Sequence, residues 1–213
     1  SVLYGARIGN GNVIFPGAVI SAVPQDLKFQ GEDTTAEVGD NNKIRENVTI
    51  NRGTAAKGKT CVGSGNLLME SVHVAHDAFV GNDCIIGNGT KLAGEIIIDD
   101  HAIISANVLM HQFCRVGGYT MVGGGTRFSQ DIPPYTICAR EPVAYCGLNL
   151  VGLRRRGFSN ELIENIHNAY RIIYQGGVPL NEALQKVREE VPASPEINYI
   201  IEFIENSKRG FVH

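Results

Sequence analysis

Residues 62–128 read VGSGNLLMESVHVAHDAFVGNDCIIGNGTKLAGEIIIDDHAIISANVLMHQFCRVGGYTMVGGGTRF. Through this stretch an apolar residue returns at every sixth position: Val62, Leu68, Val74, Val80, Ile86, Leu92, Ile98, Ile104, Met110, Val116, Val122 and Phe128. The position after it is often Gly (Gly63, Gly81, Gly87, Gly117, Gly123). The fifth position of each hexad is small or branched, as at Ala78, Cys84, Thr90, Ile96 and Ala102. A period of six does not fit a helix of 3.6 residues per turn. It fits short strands of alternating residues joined by tight turns, with positions i and i+4 facing an interior and Gly or Asn taking the turn. Three hexads then close one triangular coil of about 18 residues, and coils stack at roughly 4.8 Å. Each coil buries its apolar positions only against its neighbours, which makes the expected fold a parallel β-helix, a quasi-one-dimensional solenoid.

The same phase reaches back through Val38, Ile44, Ile50 and Ile8, Ile14, Ile20. Two polar segments interrupt it, PQDLKFQGEDTTAE at 24–37 and AAKGKT at 55–60, and both read as excursion loops. Loops on a rigid scaffold tend to carry function. After Pro133-Pro134 the period ends. Ser159 is placed to cap a helix running to about Gln175, with Ile163, Ile166, Ala169, Tyr170 and Ile173 on one face and Gly176-Gly177 as its stop. A second helix is expected over 179–190, and a third from Ser194-Pro195 with Ile197, Ile200, Ile201 and Ile204 as its apolar stripe. The expected organisation is mainly β: a solenoid over 1–140, then a helical cap over 141–213 covering an end of the sheets.

Composition agrees with this. Of 213 residues 43% are hydrophobic and 19% charged, which excludes a disordered chain. There is no Trp and there are 25 Gly, so the core must pack small and branched side chains. No apolar run approaches the ~18 residues that span a bilayer. A net charge of -3 argues against a broad nucleic-acid surface. The five Cys include no C-x-x-C pair and read as reduced thiols, which points to the cytoplasm. No signal peptide is apparent. Because Ser1 leads almost at once into the repeat, a truncated N-terminus is expected.

Residues one coil apart share a face, so Val74, Leu92, Met110 and Phe128 form a column. The residues that follow them put His76 and His111-Gln112 on one edge, two coils or roughly 10 Å apart, with His73 and Asp77 beside them. A turn Asp often bonds its own backbone and a lone surface His is commonly inert. Several aligned on one edge suggest proton transfer, for which an imidazole oriented by a carboxylate is suited. A zinc site built from His73, His76 and His111 is disfavoured, since two coils of separation exceed the reach of ~2 Å ligand bonds. Arg154-Arg155-Arg156, ahead of the first expected helix, is either a solvated stretch or a phosphate-binding cluster. Gly123-Gly124-Gly125 is either plain turn chemistry or room for an apolar chain.

The stretch VHVAHDAFVG (72–81), with HQFCRVGGYTMVGG (111–124), DIPPY (131–135) and GLRRRGFS (152–159), resembles the UDP-N-acetylglucosamine O-acyltransferases of lipid A synthesis. QDLKFQGE (25–32) and IRENVTINRGT (44–54) fit the same family. The resemblance implies a left-handed β-helix and transfer of a (3-hydroxy)acyl chain from acyl carrier protein to the 3-hydroxyl of UDP-N-acetylglucosamine, with no cofactor and no metal. It implies His76 as general base, Asp77 as its orienting partner and the Gly94 backbone as oxyanion donor. Gln25, Asp26, Lys28, His73, His111 and Gln112 would contact substrate. Asn149, Arg155 and Arg156 would hold the nucleotide and phosphates, and Gly124 would set acyl length. A homotrimer with sites between subunits follows, as does docking of the acidic carrier on Lys208, Arg209 and the arginine cluster. Glu95 stands where the family commonly has His, and Val151 where it commonly has Glu. The family's first two or three coils are expected to be missing. The rivals are an N-acyltransferase of the same pathway, a coenzyme A-dependent acetyltransferase, a metalloenzyme of the carbonic anhydrase type and a non-catalytic scaffold.

Overall fold

The computed structural model describes all 213 residues. Short strands stack into three parallel sheets that wall a prism. Sheet 1 runs from Ala6–Ile8 to Arg115–Val116, and sheet 2 from Val13–Ile14 to Met121–Val122 before continuing. Sheet 3 runs from Val19–Ala22 to Arg127–Phe128. The chain visits them in the order 1, 2, 3 and repeats. Val74 pairs with Leu92, Leu92 with Met110 and Met110 with Phe128, steps of 18 residues. Where the excursions fall the steps lengthen: Ile20 pairs with Ile50, and Ile50 with Val74. The insertions amount to 12 and 6 residues, multiples of the period, which is why the hexad phase survives them. Both are shorter at their C-terminal ends than the polar segments suggested. Thr35–Val38 and Lys59–Val62 are four-residue strands paired along their length, so residues 35–37 and 59–60 belong to sheet 1.

Inward aliphatics from all three sheets form one core of 29 buried residues along the axis. The turns are not built on Gly alone. The third residue after most inward aliphatics is left-handed, with φ between +52° and +63° at Asn47, Ser71, Asp77, Asp83, Glu95, His101 and Asn107. Glycines just after the aliphatic serve another purpose. A Cβ at Gly63 would lie 2.5 Å from the Gly81 carbonyl oxygen, so the coils approach too closely there for a side chain.

Beyond Phe128 the solenoid ends in ways the period does not signal. Thr136–Ala139 extends sheet 2 in parallel, and Ala144–Leu148 then folds back antiparallel upon it. A short helix, α1 (Leu150–Arg155), follows, so the arginine cluster lies on a helical turn rather than ahead of the helices. Six residues are too few to display a helical period. The three expected helices are α2 (Asn160–Gln175), α3 (Leu180–Glu190) and α4 (Pro195–Glu205), with Ser159 and Ser194 capping α2 and α4. Their apolar faces form a second core of 16 buried residues. The chain then returns to the solenoid. Asp131 N–H donates to Gly210 O at 2.8 Å and Val212 N–H to Asp131 O at 2.9 Å, occupying edge groups that would otherwise face solvent. Tyr199 on α4 joins the two parts, accepting from Gly118 N–H at 2.8 Å and donating to Asp99. All five cysteines are free, and burial pushes the Cys84 and Cys138 thiols up to about 12.

Candidate active site

The turns that join sheet 3 to sheet 1 make one edge of the prism, and His76 lies on it directly after the strand His73–Val74. His76 Nδ1 lies 2.8 Å from Asp77 Oδ2. The Asp77 side chain is fully buried while 18% of the His76 side chain reaches solvent. The left-handed backbone of Asp77 (φ +60°) is the ordinary turn geometry of this lattice, tolerated by Asp better than by most residues. The carboxylate also receives Thr54 N–H on Oδ1 at 2.9 Å and the Thr54 hydroxyl on Oδ2 at 2.6 Å. Its own backbone N–H donates to Thr60 Oγ1 at 2.8 Å. The carboxylate thus accepts three hydrogen bonds, one on Oδ1 and two on Oδ2. Being an acceptor only, it holds the imidazole proton on Nδ1 and leaves the Nε2 lone pair for substrate.

Gly94 lies one coil further along the same edge. A Cβ there would fall 2.7 Å from His76 Cε1 and 2.8 Å from Nε2, so the absent side chain makes the space the ring occupies. The Gly94 N–H meets no acceptor within the chain. Glu95 N–H donates to His76 O at 3.1 Å, and the Glu95 carboxylate faces Lys57 Nζ at 3.8 Å. Lys57 Nζ also donates to Asp77 O at 3.4 Å. His73 is tied to Thr49 Oγ1 at 2.7 Å, and burial, then Lys91, lowers its pKa below the usual imidazole range.

His111 and Gln112 continue the edge two coils beyond Ala75 and His76. His111 Nδ1 donates to Gln112 O at 3.0 Å, and the ring borders a groove of about 560 Å³ with Leu109, Arg127, Phe128 and Gln130. His73, His76 and His111 do not gather into a metal-ligating group. In the other direction lies the loop bearing Gln25, Asp26 and Lys28. Asn51 Nδ2 donates to Val23 O at 2.8 Å at the loop's start, and the Arg52 guanidinium sits 5.3 Å from the Phe29 ring within it. Asp26 Oδ1 accepts from Lys28 N–H at 2.9 Å. Asn51 and Arg52 occupy the positions of Ala75 and His76 one coil earlier, so loop, His76, Gly94 and Gln112 follow one line.

The remaining expected residues lie elsewhere on the prism. Arg156 lies 5.9 Å from the ring of Tyr119, in a turn between sheets 1 and 2. Arg155 precedes it, exposed on the last turn of α1. Asn149 is buried and its side chain already has structural partners: Oδ1 accepts from Gly152 N–H at 3.2 Å and Nδ2 donates to Tyr119 O at 2.9 Å. Val151 is 61% exposed on the first turn of α1. Gly124 lies on the third edge, between sheets 2 and 3. Its neighbours Gly123 and Gly125 are required by contact with Ala139 and by φ +70° respectively. Gly124 is not: a Cβ there meets only Ala106 O at 3.4 Å and Ser105 Cβ at 3.7 Å.

Thr54, Lys57 and Thr60 were missed because nothing in their residue types marks them. The available signal was the six-residue insertion itself, placed where it flanks Asp77.

The chain is 74% identical to a UDP-N-acetylglucosamine acyltransferase from Bacteroides fragilis, covering 100% of this chain and 83% of that one, with a TM-score of 0.97. The enzyme from Moraxella catarrhalis is 41% identical, with 98% and 82% covered and a TM-score of 0.94. The enzyme from Arabidopsis is 32% identical, with 100% and 81% covered and a TM-score of 0.91. A model described as UDP N-acetylglucosamine O-acyltransferase, domain 2, matches residues 131–212. A left-handed parallel β-helix of hexad repeats, bearing an imidazole–carboxylate pair on one edge, defines an acyltransferase of the hexapeptide-repeat class. Within that class the chain belongs to the UDP-N-acetylglucosamine O-acyltransferase family. No helix is long and apolar enough to cross a membrane.

Proposed function

We propose that this chain carries out the family's reaction, acyl transfer to UDP-N-acetylglucosamine at the start of lipid A synthesis, with His76 as general base. The observation that carries the reading is the His76–Asp77 pair, in which a buried carboxylate orders the ring while the ring remains open to solvent. His76 Nε2 removes the proton of the sugar 3-hydroxyl as that oxygen attacks the thioester carbonyl of the acyl carrier protein. The Gly94 N–H stabilises the oxyanion that forms. Collapse expels the carrier thiolate, which takes the proton back from His76. Base catalysis of this kind contributes about 10²–10⁴ in rate. Glu95, ion-paired with Lys57, lies where the sugar approaches.

The site requires a second copy of the chain. His76 and the Arg155–Arg156 pair stand on different edges of one prism, across the width of a sheet. A nucleotide sugar touches both only when a neighbour's arginine edge meets this His76 edge. Three such contacts close a cyclic trimer. The missing side chain of Gly124, on the third edge, admits a longer acyl chain. Lys208 and Arg209 offer the acidic carrier a cationic landing surface. The reaction belongs to the cytoplasm, where the carrier is charged.

The test is a reconstituted assay with purified protein, a 3-hydroxyacyl carrier protein and UDP-N-acetylglucosamine. Formation of the 3-O-acyl product is expected. Turnover only with acyl-coenzyme A, or only with an amine at the 3-position of the sugar, overturns the assignment of donor or acceptor.

A further inference from the structure

The insertion between Gly53 and Thr60 has one evident effect, which is to wrap Asp77. Thr54 alone engages both oxygens of the buried carboxylate, Oδ1 through its N–H at 2.9 Å and Oδ2 through its hydroxyl at 2.6 Å. The direction of the second bond is set by a third. Ala56 N–H donates to Thr54 Oγ1 at 3.2 Å, so the oxygen is already an acceptor and its proton points to Asp77. Gly58 N–H donates to Thr54 O at 2.7 Å and closes the loop behind it. Gly53, immediately before, is pinned by the Thr34 hydroxyl on its carbonyl at 2.6 Å. Thr54 is itself buried, so water cannot replace its hydroxyl.

We infer that Thr54 is a positioning residue for the acyl transfer, acting through Asp77 to hold the His76 ring and its Nδ1 proton in place. The inference rests on the general-base reading of His76. Oδ2 receives two protons, from the Thr54 hydroxyl and from His76 Nδ1, separated from Thr54 N–H on Oδ1. With the hydroxyl gone, the carboxylate rotates more freely and carries more uncompensated charge. The imidazole then samples more orientations and holds a proton more tightly. The other charged or titratable groups around this pair are Arg52 at the position of His76 one coil earlier, Lys57, Lys59 and Cys61 on the insertion and the strand after it, Glu95 from the next coil and His73 from the preceding strand. Thr54→Val changes the charge of none of them.

The experiment compares wild type with Thr54→Val, Thr54→Ser, His76→Ala and the Thr54→Val/His76→Ala double variant in the carrier-dependent assay across pH. Thr54→Val is expected to lower kcat on the order of tenfold or more, the weight of a hydrogen bond to a charged group. KM for the nucleotide sugar is expected to stay unchanged and the acidic limb of the kcat profile to move to higher pH. Thr54→Ser restores both, and the double variant is no slower than His76→Ala. Wild-type kcat and pH profile in Thr54→Val overturn the inference. So does a loss that Ser fails to restore, that appears in KM, or that recurs in full on the His76→Ala background, since each marks a merely structural role. Should the valine variant not fold, Thr54→Ala carries the same comparison. If His76→Ala itself keeps near-wild-type turnover, the general-base reading is what fails.

Discussion

His76 and His101 occupy turns of the same lattice, yet their surroundings differ. His76 Nδ1 has a carboxylate oxygen at 2.8 Å, and that carboxylate is sealed from water. His101 Nδ1 is buried with no hydrogen-bond partner, and its nearest carboxylate, Asp83, is 3.6 Å away and 55% exposed. The His101 ring packs on Tyr119 with centroids 4.7 Å apart, and burial, then the nearby Arg156, lowers its pKa. The lattice supplies both histidines with a rigid turn. What differs is the insertion that follows Gly53, which brings donors to the carboxylate beside His76 and has no counterpart beside His101. A repeating scaffold places side chains, and a departure from the repeat gives one of them different surroundings.

The sharpest way to break this contrast is substitution of each histidine. His76→Ala should lower turnover by about 10² or more while the melting temperature holds. His101→Ala should leave kcat within a few-fold, and equal losses in the two would end the distinction. Next in size is Gly94→Ala. Its methyl would intrude on the His76 ring, and a displacement of that order costs up to about 10²-fold in rate. Unchanged kcat would show that ring placement does not matter. Arg155→Ala should weaken UDP-sugar binding by about tenfold, the loss of one charge-assisted contact, with a smaller change in chemical rate. Calorimetry with UDP-N-acetylglucosamine decides this, and equal affinity contradicts a phosphate role. Gly124→Met should fold normally, since a Cβ has room there, and should shift preference to shorter acyl donors in a competition assay.

The smallest expected effect is on stability. His101 has a folded pKa below its unfolded value, so the unfolded chain binds more protons and stability rises with pH. Stability should therefore fall as pH drops through about 6.5. His101→Phe should flatten that slope in thermal melts, leaving the share that belongs to His73, which is shifted the same way. An unaltered slope would show that His101 titrates alike in both states.

Much of this was legible in the chain. The column through Val74, Leu92, Met110 and Phe128 is the register observed, because in a β-helix spacing in sequence is spacing in space. The caps at Ser159 and Ser194 were visible because a helix start is a local event. The antiparallel strand Ala144–Leu148 and the helix α1 were not, since both are short and depend on the solenoid's last coil for their packing. The resemblance marks Asn149 as a nucleotide contact, and nothing in the residue itself signals that its amide caps α1 and holds Tyr119.

The sequence by itself determined the prism, the edge on which His76, Gly94 and Gln112 align, and the family, because a six-residue lattice converts order along the chain directly into position. Only the tertiary structure decided that Thr54 grips Asp77, that Gly94 clears space for the imidazole and that the arginines stand on another edge. The first of these depends on how an insertion folds over a turn 23 residues away. No periodicity encodes such a contact, since it arises where the period is broken.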